Sequence, residues 1–215
     1  NFSNNNASAR VISSDHPLSR IELPTNLVLV PGTTYDLPIT VQNVENLAAY
    51  NIDLTFNGSV VSVTNVTPGP LGIIAKNIDE PGRVRFEGAV ASGGFSGDIT
   101  LGIIRFNVTG KIGDTTDLKV SAGLSDGNGL PIPVDVVNGR ADVLLYGDAN
   151  GDGRVDQADT LKVLRQVVGL ESKPSAGGMM FRVTDVTRNG VIDVGDAMFI
   201  AQYNVGLKDE YFRLK

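Results

Sequence analysis

The chain has no cysteine, no tryptophan and a single histidine. Without cysteine there is no disulfide framework, no thiolate zinc site and no cysteine nucleophile. One histidine leaves little for imidazole chemistry, and His16 lies in the polar stretch SSDHPLSR ahead of a proline, the setting of a solvated loop residue. The lack of tryptophan weighs against a sugar-binding sandwich, because sugar platforms rely on exposed aromatic rings. No apolar run reaches the roughly 18 residues of a membrane-spanning helix, so membrane insertion is not expected. Basic residues are the minority, 18 against 24 acidic in 215, which leaves a net charge of −6 and disfavours nucleic acid or an anionic membrane surface as partner. Isolated acids in the first two thirds of the chain show no pairing suited to acid–base work. Glu87, after RVRF, reads as an exposed strand-end carboxylate, so the chain is expected not to be an enzyme.

What the sequence does contain divides near residue 146. Between Ile21 and Leu145, segments such as YDLPITVQNV, AAYNIDLTF, SVVSVTNV, GRVRFEG and DLKVSAGL are rich in Val, Ile and Thr and are separated by Gly, Pro, Asn and Asp. In LGIIRFNVT, Ile104, Phe106 and Val108 alternate with Arg105, Asn107 and Thr109, the period of a half-buried strand. Eight or nine strands with no helix between them predict an all-β antiparallel sandwich or jelly roll, followed by a small all-α part. The expected divisions are a polar tail at 1–20, the sandwich at 21–145 and the helical module at 146–215. The tail is expected to dock along a neighbour as an added strand. An opening Asn1 in place of methionine predicts an extracellular or surface protein whose signal segment has been removed. N-x-S/T triplets at Asn1, Asn6, Asn57, Asn65 and Asn107 are candidate glycosylation acceptors in keeping with that.

After Leu145 one design occurs twice, at an offset of 37 residues: GDANGDGRVDQADTLKVLRQVVGL and TDVTRNGVIDVGDAMFIAQYNVGL. Each copy is an acidic loop followed by a helix. Leu161, Leu164, Val167 and Val168 recur at helical spacing in the first, and Met198, Ala201 and Val205 in the second, so these faces are expected to pack the copies together. The first loop offers oxygens at positions 1, 3, 5, 9 and 12 from Asp148, Asn150, Asp152, Asp156 and Asp159, the main-chain carbonyl of Arg154 at position 7, and Gly153 at the sharp turn. Calcium, a hard cation taking six to eight oxygens, needs this wrap, and carboxylates crowded this way repel one another without a cation. The second loop offers Asp185, Thr187, Asn189, the carbonyl of Val191, Asp193 and Asp196. With one carboxylate fewer it is expected to hold the second of two Ca²⁺ ions more weakly. Asp rather than Glu at position 12 fits a structural site in a calcium-rich medium.

Two such repeats, each helix ending in Val-Gly-Leu, resemble a dockerin, the calcium-folded module that plugs into cohesin domains. The preceding NLVLVPGTTYDLPITVQNVENLAAYNIDLTF, GDITLGIIRFNVTGKIGDTTDLKVSAG and NGRADVLL resemble a cohesin. The resemblance implies that loop positions 10 and 11 and the exposed helix face contact a partner. These are Gln157, Ala158, Lys162, Arg165 and Gln166 in the first repeat, and Val194, Gly195, Phe199, Gln202 and Tyr203 in the second. The Ser-Thr pair common in the family at positions 10 and 11 is absent. Phe199 and Tyr203 are read as an aromatic anchor, and Tyr146 with Tyr211 or Phe212 as a clasp joining the module's ends.

Residues 1–145 carry 14 acidic and 9 basic side chains, whereas residues 146–215 carry 10 and 9. Two Ca²⁺ would make the second part a net cation facing an acidic sandwich. Between Leu145 and Asp148 only Tyr146 and Gly147 intervene, a reach of about 7 Å, too short for the module to fold back on the flank of its own sandwich. The sequence therefore reads as a calcium-dependent assembly protein whose dockerin docks on the cohesin of another copy, giving a homo-oligomer or filament. An adaptor between a different scaffold and a dockerin-bearing enzyme is the alternative, and a carbohydrate-binding surface protein the third reading.

Overall fold

The computed structural model describes residues 18–209 together with Phe212 and Arg213. Expectations resting on the N-terminal tail, Asn1, Asn6, His16 and Tyr211 lie outside the described residues. Among the described residues ten strands come first: β1 (Ser19–Glu22), β2 (Leu27–Leu29), β3 (Thr34–Thr55), β4 (Val61–Pro68), β5 (Ala75–Asn77), β6 (Arg83–Ala89), β7 (Phe95–Val108), β8 (Thr115–Asp126), β9 (Val134–Val137) and β10 (Gly139–Val143). Three helices follow, α1 (Gln157–Val167), α2 (Met179–Thr184) and α3 (Val194–Asn204). The chain is a β-sandwich followed by a small helical module.

The sandwich is organised by β3. Its first half pairs with β7 from Thr34 to Leu47 and touches β1 at Val41 and Gln42; its second half, from Ala49 to Thr55, lies between β6 and β8. One strand therefore belongs to both layers. The sequence reads as two strands here, YDLPITVQNV and AAYNIDLTF, because Asn43 and Asn46 look like turn residues. Both do adopt left-handed backbone, with φ of 53° and 52°, but each sits beside a register shift within the continuous strand. Each shift adds a residue, so the buried series Leu37, Ile39, Val41, Val44 and Leu47 steps by two and then by three while continuing to face inward. Asparagine tolerates this conformation better than other non-glycine residues.

Pairing is antiparallel through the body of the sandwich, but β1 runs parallel to β9 and β2 parallel to β10. These strands are far apart in sequence and so escape the hairpin constraint that makes consecutive neighbours antiparallel. The segment IELPTNLVLV divides into β1 and β2 around Pro24, which has no N–H to give a ladder. The alternation expected in β7 is present, with Ile104, Phe106 and Val108 buried and Arg105 and Thr109 exposed.

Tyr50 ties the layers together. Its ring meets Phe86 edge-on at 5.9 Å, and its hydroxyl donates within reach of the carbonyls of Gly72 at 2.8 Å and Leu101 at 3.0 Å. Gly88 lies opposite in register, and a Cβ there would stand 2.6 Å from the tyrosine ring, so the ring's position requires glycine. Burial pushes the phenol up from 10.0 to about 12. A raised phenol favours the folded state while it is protonated, and that contribution is lost as pH rises through the folded value. Tyr50→Phe removes the one hydroxyl donor these carbonyls share, while the Leu101 carbonyl keeps the Gly69 amide at 3.1 Å, and should cost about 1–2 kcal/mol at neutral pH in urea unfolding. The wild type should then lose stability between pH 10 and about 12 more steeply than the variant, so that the difference between them narrows.

Candidate metal loops and docking faces

Both acidic loops fold in the same way. Asp148 Oδ1 accepts the amides of Gly151 and Asp152, at 2.8 and 3.0 Å, and Oδ2 accepts that of Gly153 at 2.9 Å. Asp185 likewise accepts from Asn189 and Gly190, at 3.2 and 2.9 Å. At position 12, Asp159 accepts the amides of Asn150 and Asp156, and Asp196 those of Thr187 and Asp193, all at 2.9–3.0 Å. Asp156 and Asp193 cap α1 and α3 reciprocally with these residues, an arrangement that satisfies orphan amides at each helix start. Gly153 and Gly190, at position 6, have φ of 85° and 83°. Position 4 is also left-handed in both, with glycine at 151 but arginine at 188, where φ is 59°. The second loop therefore carries strain that the first avoids.

Among the described residues no three Asp, Glu, His or Cys side chains converge as a cation cluster, because the carboxylates are turned onto loop amides. The donor set nevertheless suits a hard cation. Asp159 and Asp196 are fully buried and Asp148 and Asp185 nearly so, at 3% and 6% exposure, and among the described residues none of the four pairs with Lys or Arg. Burial pushes the Asp159 carboxyl up, and the charges of Asp148 and Asp152 add to this against the amides that oppose it. Buried carboxylates without a positive partner are costly. Asn150, Thr187, Asn189 and the carbonyls of Arg154 and Val191 would supply further neutral oxygens of the kind calcium accepts.

The helix faces differ from the sequence expectation. α1 buries Asp159, Val163 and Gln166, and α3 buries Asp196, Ala197 and Ile200. Leu161 and Val168 are 50% and 67% exposed, Met198 and Val205 51% and 68%. Two apolar stripes on each helix satisfy the 3.6-residue period, and the one that faces inward is the one in phase with the position-12 aspartate. A carboxylate that must turn back into its loop carries the residues four and seven further on to the same side. The outer stripes repeat at the same offset as the loops, with Leu161, Val168 and Leu170 opposite Met198, Val205 and Leu207, all exposed. Periodicity alone assigned most of these residues to the core and so missed them as surface.

Of the residues implied as partner contacts, Gln157, Ala158, Arg165 and Val194 are exposed. Lys162 pairs with Glu171, and Arg165 approaches the same carboxylate at 3.5 Å. Gly195 gives its amide to Asp193 at 2.6 Å and Gln202 is half-buried. Three residues require correction. Gln166 is buried, since it follows Asp159 by seven residues on the inward face. Phe199 and Tyr203 pack on the module's core: Lys208 Nζ lies 3.7 Å over the Phe199 ring, and Tyr203 meets Phe212 at 5.3 Å. They are half-buried internal contacts and not a free aromatic anchor. Asn57 and Asn65 are exposed and Asn107 half-buried; Asn57 Oδ1 accepts from the Ser59 hydroxyl at 2.7 Å.

The clasp forms through Phe212. Its buried ring lies on Gly147 at the module's start, and Tyr146 packs against the same core. At Gly147 φ is 88°, and a Cβ would stand 2.5 Å from the Phe212 ring and 2.9 Å from Val155.

A β-sandwich followed by a duplicated acidic-loop helix module defines a cohesin joined to a dockerin. The Cohesin domain family matches residues 20–143 and the Dockerin type I domain family residues 146–203. The chain belongs to the cohesin family and carries a dockerin type I domain after its cohesin domain. Among solved structures it is similar to a non-cellulosomal cohesin from the archaeon Archaeoglobus fulgidus, with a TM-score of 0.52 and 20% identity over 60% of this chain and 92% of that one. The solution structure of CaCohA2 from Clostridium acetobutylicum gives 0.53 and 20% over 63% and 95%. The Coh-OlpA–Doc918 complex from Clostridium thermocellum gives 0.52 and 12% over 60% and 100%. These likenesses show the fold. No curated protein matches. Cohesin and dockerin are non-catalytic interaction modules, typically extracellular or at the cell surface, and type I dockerins in general bind calcium. Among the described residues no helix is long and apolar enough to cross a membrane.

Gly147→Ala should destabilise the helical module by about 2–4 kcal/mol through backbone strain and overpacking. Gly177→Ala, at a φ of 78° with open space around it, should be destabilised by the backbone strain alone and therefore by less. Thermal melts followed by the helical circular-dichroism signal separate the two.

Proposed function

We propose that this protein is an extracellular, calcium-dependent structural assembly protein, polymerising head-to-tail as the dockerin of one copy docks on the cohesin of the next. The observation that carries this is the presence of a socket-type and a plug-type module in one chain, with only Tyr146 and Gly147 between Leu145 and the first loop aspartate. A two-residue connection spans about 7 Å and keeps the module beside its own sandwich, where α2 meets the β2–β10 edge, so the exposed faces of α1 and α3 are left for the cohesin of another molecule. Such contacts are heterologous, and they build open filaments unless the rotation closes a ring. The uncovered stripe of Leu161, Val168, Met198 and Val205 supplies apolar surface for the contact.

On this reading the chain is not an enzyme, and its domains divide as tail 1–20, cohesin 21–145 and dockerin 146–215. Asp148, Asn150, Asp152, Arg154 (through its carbonyl), Asp156 and Asp159 would hold one Ca²⁺. Asp185, Thr187, Asn189, Val191 (through its carbonyl), Asp193 and Asp196 would hold the other. Calcium would neutralise the buried carboxylates and tie each loop to its helix, so that metal and fold are linked. Asn57 and Asn65, exposed on the sandwich, are the accessible candidates for glycan attachment.

Light scattering across a concentration series tests the assembly. In calcium the mass should grow with concentration and should fall to that of a monomer on chelation. A protein that stays monomeric in calcium at high concentration refutes self-assembly and leaves the adaptor reading. Independently, Asp148→Ala with Asp159→Ala should abolish calcium-induced gain of helical signal in the first repeat, with strand content unchanged. Isothermal titration should then show the loss of one of two binding events.

A further inference from the structure

The last strand of the sandwich and the short helix between the two repeats meet at a joint that neither module's own role requires. On the sandwich side stand Asp142 in β10, Val28 in the edge strand β2, and the main-chain carbonyl of Asn26 just before it. On the module side stands α2. Arg182 Nη1 donates to Asp142 Oδ2 at 2.6 Å, and Nη2 donates to the Asn26 carbonyl at 3.2 Å. The other oxygen of Asp142 accepts from Arg140 at 3.1 Å, which fixes the carboxylate's orientation. Next to this pair, Val28, Leu144 and Val183 form a buried apolar cluster of their own.

Small interfaces between domains of one chain ordinarily permit relative motion. What differs here is that the connecting residues are themselves engaged. The Gly147 amide donates to the Val183 carbonyl at 2.8 Å, and Gly147 lies buried under Phe212. Tyr146 packs against both the joint and the module core, with the Arg188 guanidinium 4.8 Å over its ring. A hinge needs residues whose torsions are free to change, and neither Tyr146 nor Gly147 is. The same joint leaves the outer stripes of α1 and α3 uncovered.

We propose that α2 is a seat on the β2–β10 edge, held by Arg182 and Val183, which locks the cohesin and dockerin domains of one chain into a single stiff link of fixed relative orientation. The partner of this surface is the chain's own sandwich. The seat stands whether or not copies assemble.

Absence of cysteine makes the test direct, because two introduced cysteines carry the only spin labels. Lys119→Cys on β8 and Ser172→Cys in the segment between α1 and α2 are exposed positions on the two domains, and Ser172 lies outside the loop ligands and the implied docking contacts. Double electron–electron resonance on the full chain in calcium, diluted until light scattering reports monomer, should give one narrow distance distribution. Arg182→Ala should broaden it, and Arg182→Lys, which keeps the charge opposite Asp142, should restore much of the narrowness. Asp142→Ala acts from the sandwich side, where it leaves the helices intact, and should broaden the distribution as well; it decides the matter if Arg182→Ala loses helical signal. A broad distribution in the parent, or a narrow one that survives Asp142→Ala with helices folded, overturns the seat. Failure of the assembly reading looks different: a narrow distribution in a chain that never polymerises.

Discussion

Burying a carboxylate without a positive neighbour is among the costliest things a small domain can do, and among the described residues the helical module does it at Asp148, Asp159, Asp185 and Asp196. The rest of the module is arranged around those four groups. Each accepts two or more loop hydrogen bonds, two of them complete capping boxes, and the position-12 pair sets which face of α1 and α3 turns inward. Val163 and Ile200, fully buried one turn beyond those aspartates, form the apolar contact between repeats. Burial of side chains this size contributes about 1.5–3 kcal/mol each. The core of this module is small, so loop electrostatics weigh heavily in whether it folds.

The loops were legible in sequence because their chemistry is local: every oxygen donor lies within twelve consecutive residues, and the second copy repeats the spacing. The sandwich class was legible for a similar reason, since alternation in β7 and β6 is a property of neighbours in the chain. Helix orientation was not, because apolar residues occur on two sides of each helix and their period is the same on both. Leu161 and Val163 are equally credible as core until Asp159 is required to face the loop. The continuity of β3 was hidden by Asn43 and Asn46, whose left-handed backbone serves a turn or a bulge alike. Only the pairing of both halves with β7, β6 and β8 distinguishes them. Phe199 and Tyr203 were misplaced because their partners, Lys208 and Phe212, follow the repeats and return to the module's start.

The joint was illegible for a different reason. Arg182 and Asp142 are 40 residues apart, and nothing in the local sequence of either marks the other. Yet in the proposed head-to-tail assembly this contact would bear on the outcome as much as the docking faces do. A polymer of links whose two halves swing freely accumulates disorder at every step, whereas one built from stiff links repeats a single rotation. Closed rings or regular helical filaments need the second kind, because symmetry requires each subunit to present its socket and plug at the same angle. In head-to-tail assembly that angle is set twice per repeat, once between copies and once within each copy. The sequence specifies the inner setting with a buried glycine, a pinned tyrosine and one arginine. If the proposed docking holds, the pitch of the assembly is therefore written largely at the β2–β10 edge, away from the surfaces that meet.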